Sequence, residues 1–270
     1  DILTIHDSFG LGVEFIEKEG PVFRNPISNS ADIKNLNHFD PESLDYVYKA
    51  VNNIKSSLPE EIPLIGFCGS PWTLAAYSIE GRSSKDFEKT LNFLVSNQKD
   101  VHNLLTKYTD ACFLYLRRQV QSGADVIQIF DSWANLLTKE GLIEYSFNYI
   151  NALISALKLD PVTKNIPVIV FARNPKCNIE ELIDTSADCI SLFWSMNDLN
   201  FELAKNKVAI QGNLDPKILL ESDEIIKRET YKILEKFKKY PGYIFNLGHG
   251  ITPDINPDKI KYLTNIVREY

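Results

Sequence analysis

Cysteine is scarce and never closely spaced. Cys68, Cys112, Cys177 and Cys189 stand far apart, with no C-x-x-C pair. A disulfide framework is not expected in a chain this large, so reduced thiols in a cytosol are the default. His6, His38, His102 and His249 show no tight spacing with a cysteine, so the usual pattern of a zinc site is missing. No apolar run approaches the ~18–20 residues that span a bilayer, and nothing reads as a signal peptide. A dominant basic stripe is absent too: Lys and Arg number 29 against 36 Asp and Glu, a net charge of −7. Phosphate contacts need clustered cations, so nucleic acid is not expected as a partner. The one basic run, Lys236-Phe237-Lys238-Lys239, reads as a helix end, where cations oppose the carbonyl dipole. No G-x-G-x-x-G follows a first strand, which disfavours an open dinucleotide-binding sheet.

What is present is a βα rhythm. The chain has 270 residues, 44 % hydrophobic and 24 % charged, as expected for one globular domain over 1–270. Apolar runs at 62–68, 124–130, 166–172, 189–194, 208–212 and 243–247 lack strict alternation, as strands covered on both faces do. Between them, residues 98–120 place Val101, Leu104, Leu105, Tyr108, Cys112, Leu116 and Val120 on one helix face. Residues 136–158 and 222–238 are similarly amphipathic. Asp40-Pro41, Asp215-Pro216 and Asn256-Pro257 read as helix starts, with a capping side chain before a proline. Residues 13–17 and 21–23, separated by Lys18-Glu19-Gly20, predict a β-hairpin outside the main sheet. Residues 25–40 read as surface loop. Asp1-Ile2-Leu3-Thr4-Ile5 reads as a strand stub entered part-way, and residues upstream of Asp1 are therefore expected. Six internal strands plus a stub predict a (β/α)8 TIM-type α/β barrel without its opening segment.

Polar residues gather just past the predicted strand ends: Asp131-Ser132, Arg173, Trp194-Ser195, Gln211-Gly212-Asn213 and Gly248-His249-Gly250. In a barrel these ends share one face, where active sites of this architecture lie. That convergence points to an enzyme.

Four segments narrow the reading: DILTI at 1–5, GFCGSPWTLAAYSIEG at 66–81, QIFDSWA at 128–134 and NLGHGI at 246–251, with QGNLDP at 211–216 in support. Together, in this order, they resemble the uroporphyrinogen decarboxylase family. The resemblance implies stepwise removal of carbon dioxide from the four acetate arms of uroporphyrinogen III, giving coproporphyrinogen III in haem biosynthesis. It implies no cofactor and no metal, a cytoplasmic homodimer, and neither membrane nor nucleic acid as partner. By the same resemblance, Asp1 matches the carboxylate that accepts hydrogen bonds from the pyrrole N–H groups. Tyr77 matches a tyrosine that holds that carboxylate and touches a substrate arm. Phe67 contacts the macrocycle, Ser132 bonds a substrate carboxylate, and His249 binds a propionate or acetate. Asp1 and Tyr77 are the expected catalytic residues.

Trp72, Trp133 and Trp194 are expected to pack. Gly66, Gly69 and Gly248 are expected to open space for close approach of a ligand to the backbone. Arg82, where the family usually has a small residue, reads as surface. Arg173 stands where the family often carries Lys and is a candidate for a substrate carboxylate, as is Lys176. The family's R-x-A-G-R-Y segment, its main source of cations, does not occur in this sequence. Two other readings compete: a zinc-dependent cobamide or thiol methyltransferase of the same superfamily, and a tetrapyrrole-binding barrel without turnover.

Overall fold

The computed structural model describes residues 1–17, 19–197 and 199–270. The stub at 1–5 is not a strand. The Asp1 carboxylate accepts a hydrogen bond from the Leu3 N–H at 2.8 Å, and the Thr4 hydroxyl donates to the Asp1 carbonyl at 2.8 Å. These local bonds close a turn, and a one-turn helix α1 (Ile5–Ser8) follows. Strands β1 (Val13–Ile16) and β2 (Gly20–Phe23) form the predicted antiparallel hairpin, with Val13 opposite Phe23. Lys18, in its predicted turn, lies outside the described residues. The segment at 25–40 is not all loop. Asn29 and Asp32 form a capping box that starts α2 (Ser30–Lys34).

Asp40 caps a 3-10 turn at Pro41–Leu44, from which α3 (Asp45–Ser57) continues. Then the barrel rhythm begins. Strand β3 (Ile65–Gly69) leads into α4 (Pro71–Glu80), capped by the Ser70 hydroxyl on the Thr73 N–H at 3.0 Å. Helices α5 (Glu88–Ser96) and α6 (Gln98–Gln121) pack outside. Strand β4 (Val126–Asp131) precedes α7 (Lys139–Leu142), a π turn at Ile143–Phe147, and α8 (Asn148–Leu159). The single helix expected over 136–158 is thus broken. Strand β5 (Val168–Ala172), α9 (Ile179–Ile183), β6 (Cys189–Ser191) and β7 (Ala209–Gln211) follow. The chain continues through α10 (Asp223–Phe237), β8 (Tyr243–Ile244) and α11 (Pro257–Glu269).

All six predicted internal strands form, and they line up in chain order, β3-β4-β5-β6-β7-β8, every pair parallel. A doubly wound sheet reverses order at a switch point; here there is no reversal among the described residues, as in the wall of a TIM-type barrel. The described wall has six strands, with β3 and β8 at its edges. Gln119 of α6 covers part of β3, accepting from the Phe67 N–H at 3.0 Å and donating to the Phe67 carbonyl at 2.9 Å. That blunts an otherwise bare strand edge. The core runs from α1 through the sheet to α10, and a smaller apolar cluster of Leu214, Leu219, Ile226, Ile255, Leu263 and Ile266 seats α11. All four cysteines are free thiols.

His6 is wholly buried, edge-on to Phe23 and Tyr108. Both ring nitrogens face carbonyl oxygens, those of Leu3 and Leu74, each at 2.9 Å. A neutral ring has one N–H, so protonation alone would complete both bonds. Burial outweighs that gain and lowers the pKa from 6.5 to about 4. The unfolded chain therefore takes up this proton first as pH falls. The stability His6 contributes is full above pH 6.5 and lost towards pH 4, about 3 kcal/mol in all. Urea denaturation at stepped pH is expected to show a shallower acid slope for His6→Met than for the wild type. Parallel slopes would clear His6 of this role.

Candidate active site

The strand register assembles a mouth at the carboxyl ends of the strands. Gly69 of β3 lies opposite Phe130, Phe130 opposite Phe171, Phe171 opposite Ser191, and Ser191 opposite Gln211. The aromatic members form an arc. Ring centroids of Phe67 and Phe130 are 6.0 Å apart, Phe130 and Phe171 5.9 Å, Phe171 and His249 6.1 Å, and Phe193 and His249 5.9 Å. The pairs involving Phe67 and His249 meet edge to face, as ring quadrupoles favour. Beneath the arc lies a cavity of about 370 Å³, lined by Gln128, Phe130, Ser132, Phe171, Ser191 and His249 among others. A larger, shallower hollow of about 640 Å³ opens at Ala187, Lys207, Pro241 and Gly242. Strands β6 to β8 begin there, and that end of this architecture serves stability rather than chemistry.

Of the residues expected to meet the substrate, Ser132 and His249 line this cavity, whereas Asp1, Phe67 and Tyr77 are not among its lining residues. The Ser132 hydroxyl has no protein partner among the described residues. His249 stands at the rim, partly open to solvent and partly shielded by Phe171 and Phe193. Burial and then the positive charge of Arg173 lower its pKa below 6.5, so the ring is neutral at pH 7. Phe67 is 37 % exposed at the edge of the arc. Tyr77, on α4, sits against Phe87 and Trp133 at 5.6 and 5.8 Å. Burial raises its pKa, opposed by the Trp133 indole and by Arg173. The Trp133 N–H lies beside the phenol but short of hydrogen-bond geometry, and it has no partner. Asp1 is exposed and bonded within its own turn. The next residue places it: a Cβ on Gly69 would come within 3.3 Å of the Ile2 carbonyl oxygen, so Asp1 adjoins the end of β3.

The glycines open space for protein rather than for a ligand. A Cβ on Gly248 would lie 2.4 Å from the Trp194 backbone nitrogen, and one on Gly66 would lie 2.9 Å from the Gln119 amide oxygen. Gly250 alone of the rim glycines faces open space. Arg82 is exposed and paired with Glu19 at 3.4 Å, as its surface reading expects. Trp72 packs as expected, donating to the Trp133 carbonyl at 3.0 Å. Among the described residues no three His, Cys, Asp or Glu converge as metal ligands would.

Sequence reasoning missed the group beneath all this. Asp131, the last residue of β4, is completely buried. It accepts from the Thr73 hydroxyl at 2.9 Å and from the Ser146 hydroxyl. Ser70 and the Trp133 backbone N–H also favour its charged form. One carboxylate thus ties the start of α4 and the π turn before α8 to the end of β4. A π turn marks an inserted residue and recurs at functional sites; here it brings Ser146 to Asp131. Position at a strand end inside QIFDSWA was the only sequence signal, and it does not separate a buried hub from an exposed catalytic acid.

Comparison with known proteins gives one result. Residues 1–270 match the family described as Uroporphyrinogen decarboxylase (URO-D). The uroporphyrinogen decarboxylase of Vesicomyosocius okutanii subsp. Calyptogena okutanii (strain HA) is 42% identical over 271 residues, covering 100% of this chain and 78% of that protein. That of Legionella pneumophila (strain Corby) is 40% identical, covering 100% of this chain and 76% of that protein. Among solved structures, a B12-independent methionine synthase from Shewanella sp. W3-18-1 in complex with selenomethionine aligns over 95% of this chain and 74% of that chain, at 14% identity and a TM-score of 0.56. This last likeness is one of fold alone.

Burial raises the Asp131 pKa above 3.8, opposed by the Ser146, Thr73 and Ser70 side chains and the Trp133 backbone N–H. Asp131→Asn, which keeps an acceptor, is expected to change stability by less than about 1 kcal/mol at pH 7. Asp131→Ala strands the Thr73 and Ser146 hydroxyls and is expected to cost about 2–4 kcal/mol. The wild type is expected to lose stability relative to Asp131→Asn as pH rises above 3.8 through the raised value. Denaturant titrations of the three proteins across pH check both points.

Proposed function

Because the chain belongs to the uroporphyrinogen decarboxylase family, we propose that this mouth strips the four acetate arms of uroporphyrinogen III to methyl groups, yielding coproporphyrinogen III. The enzyme is a carboxy-lyase of porphyrin biosynthesis. The observation that carries the reading is the shared cavity of Ser132 and His249 under an aromatic arc at the carboxyl ends of the strands.

The chemistry sets what the site must do. Protonation of a pyrrole carbon makes the ring cationic. The bond between the acetate methylene and its carboxylate then breaks, and its electron pair flows into that ring. Carbon dioxide leaves, the exocyclic methylene takes a proton to become methyl, and the ring returns its extra proton. In balance, one arm and one proton give one methyl group and one carbon dioxide. A carboxylate facing the pyrrole N–H groups stabilises the cationic stage more than the neutral ground state, which is the requirement for acceleration.

Asp1 is the carboxylate we assign to this task. Its place beside the end of β3 supports the assignment, as does a second carboxylate oxygen with no protein partner among the described residues. Tyr77, packed on Trp133 from α4, is assigned to the Asp1 carboxylate and a substrate arm. A phenol kept neutral by burial donates to a carboxylate arm. The neutral imidazole of His249 offers one N–H, and the Ser132 hydroxyl another donor, to further arms. Phe67 and its arc offer ring edges to the flat faces of the pyrroles. A cytoplasmic homodimer with two mouths facing one another fits the family. No helix among the described residues is long and apolar enough to cross a membrane.

Anaerobic incubation with uroporphyrinogen III is expected to give hepta- through tetra-carboxylate products by mass analysis. Tight binding of the product with no carbon dioxide released would support the non-catalytic reading instead. Asp1→Ala is expected to lower kcat by on the order of 10²–10³-fold with an unchanged circular dichroism spectrum. Near-wild-type turnover removes Asp1 from the mechanism.

A further inference from the structure

Arg173 is a half-buried cation at the mouth that the protein leaves unpaired. Fourteen ion pairs form among the described residues, and none uses it. In a chain with 36 acidic and 29 basic residues, a guanidinium without a carboxylate partner is conspicuous, because a partly desolvated charge ordinarily finds one.

Its placement is rigid. The Arg173 N–H donates to the Asp131 carbonyl at 2.9 Å, extending the β4–β5 ladder by one step. The next residue, Asn174, holds a left-handed φ of 41°, and its side-chain oxygen accepts from the Ser195 hydroxyl at 3.2 Å. Such strain at a non-glycine residue concentrates at binding and catalytic positions. The guanidinium carbon lies 5.3 Å from the centroid of the Trp133 ring. Trp133 is in turn wedged against Phe87, with centroids 4.1 Å apart. A guanidinium over an indole makes a cation–π contact that uses none of its N–H groups, and those groups form the fork that matches a carboxylate. Tyr77 packs against the same indole, with ring centroids 5.8 Å apart, while the unpartnered Trp133 indole N–H is buried away from solvent. The charge of Arg173 reaches both flanks of the mouth, since it lowers the proton affinity of Tyr77 on α4 and of His249 beyond β8.

We propose that Arg173, with the Tyr77 hydroxyl on the same Trp133 ring, forms a subsite that receives one carboxylate arm of the substrate and helps set which arm is presented for reaction. This rests on the decarboxylase reading for the identity of the arm, but not for its chemistry, which is that of a carboxylate.

The test compares wild type, Arg173→Gln and Arg173→Lys. With uroporphyrinogen III, Arg173→Gln is expected to raise KM on the order of 10- to 100-fold, more than it lowers kcat. Arg173→Lys keeps the charge without the fork and is expected to recover most of that loss. Binding of the oxidised octacarboxylate, uroporphyrin III, followed by tryptophan fluorescence, is expected to weaken in parallel without any turnover. In substrate-free protein, NMR titration is expected to show the His249 pKa rising in Arg173→Gln and staying low in Arg173→Lys. Unchanged KM and uroporphyrin affinity in Arg173→Gln overturn the subsite and leave the decarboxylase reading standing. Equal losses in both variants, with a lowered melting temperature and an unmoved His249, also overturn it, in favour of a structural role. Uroporphyrin binding that depends on Arg173 in a wild type that releases no carbon dioxide upholds the subsite and removes the reaction.

Discussion

A carboxylate that never meets solvent organises the mouth of this barrel. Asp131 closes β4 and collects hydroxyl donors from α4 and from the π turn before α8. Those two segments lie far apart in sequence. Each hydroxyl would be orphaned if the carboxylate were absent, so the arrangement holds as a unit. From this unit hang Ser132 and Trp133 directly, Tyr77 through α4, and Arg173 through its bond to the Asp131 carbonyl. Four side chains of the mouth thus take their positions from one residue that touches no ligand.

Above that hub the mouth separates apolar and polar work. Phe67, Phe130 and Phe171 form its aromatic arc, while Ser132 and His249 bring polar groups to the cavity. The field at the mouth is shaped by burial and by Arg173 together. Burial raises the Tyr77 pKa against Trp133 and Arg173, and burial and then the guanidinium lower that of His249.

Much of the architecture was legible before any coordinates. Strands buried on both faces cannot avoid continuous apolar runs, and all six such runs became β3 to β8. Asp40, Asp215 and Asn256 each cap a helix or 3-10 turn opened by proline, since capping chemistry is settled within three residues. The failures were equally physical. DILTI looked like a strand by composition, but the Asp1 carboxylate prefers its own backbone and makes a turn. The amphipathic run at 136–158 looked like one helix, because periodicity does not register a π turn that long-range contact with Asp131 stabilises. Gly66 and Gly248 were rightly seen as sites of close approach, but what approaches is Gln119 and the Trp194 backbone.

By itself the amino-acid order determined the parallel α/β scaffold and the residues that end its strands. Both follow from local periodicity and from the rule that parallel strands deliver their carboxyl ends to one face. Only the tertiary structure decided which of those residues are buried, paired or free. Asp131 and Arg173 both read as polar residues at strand ends. One became a hydrogen-bonded hub and the other an unpaired cation, because desolvation and partner choice depend on neighbours brought in from distant parts of the chain.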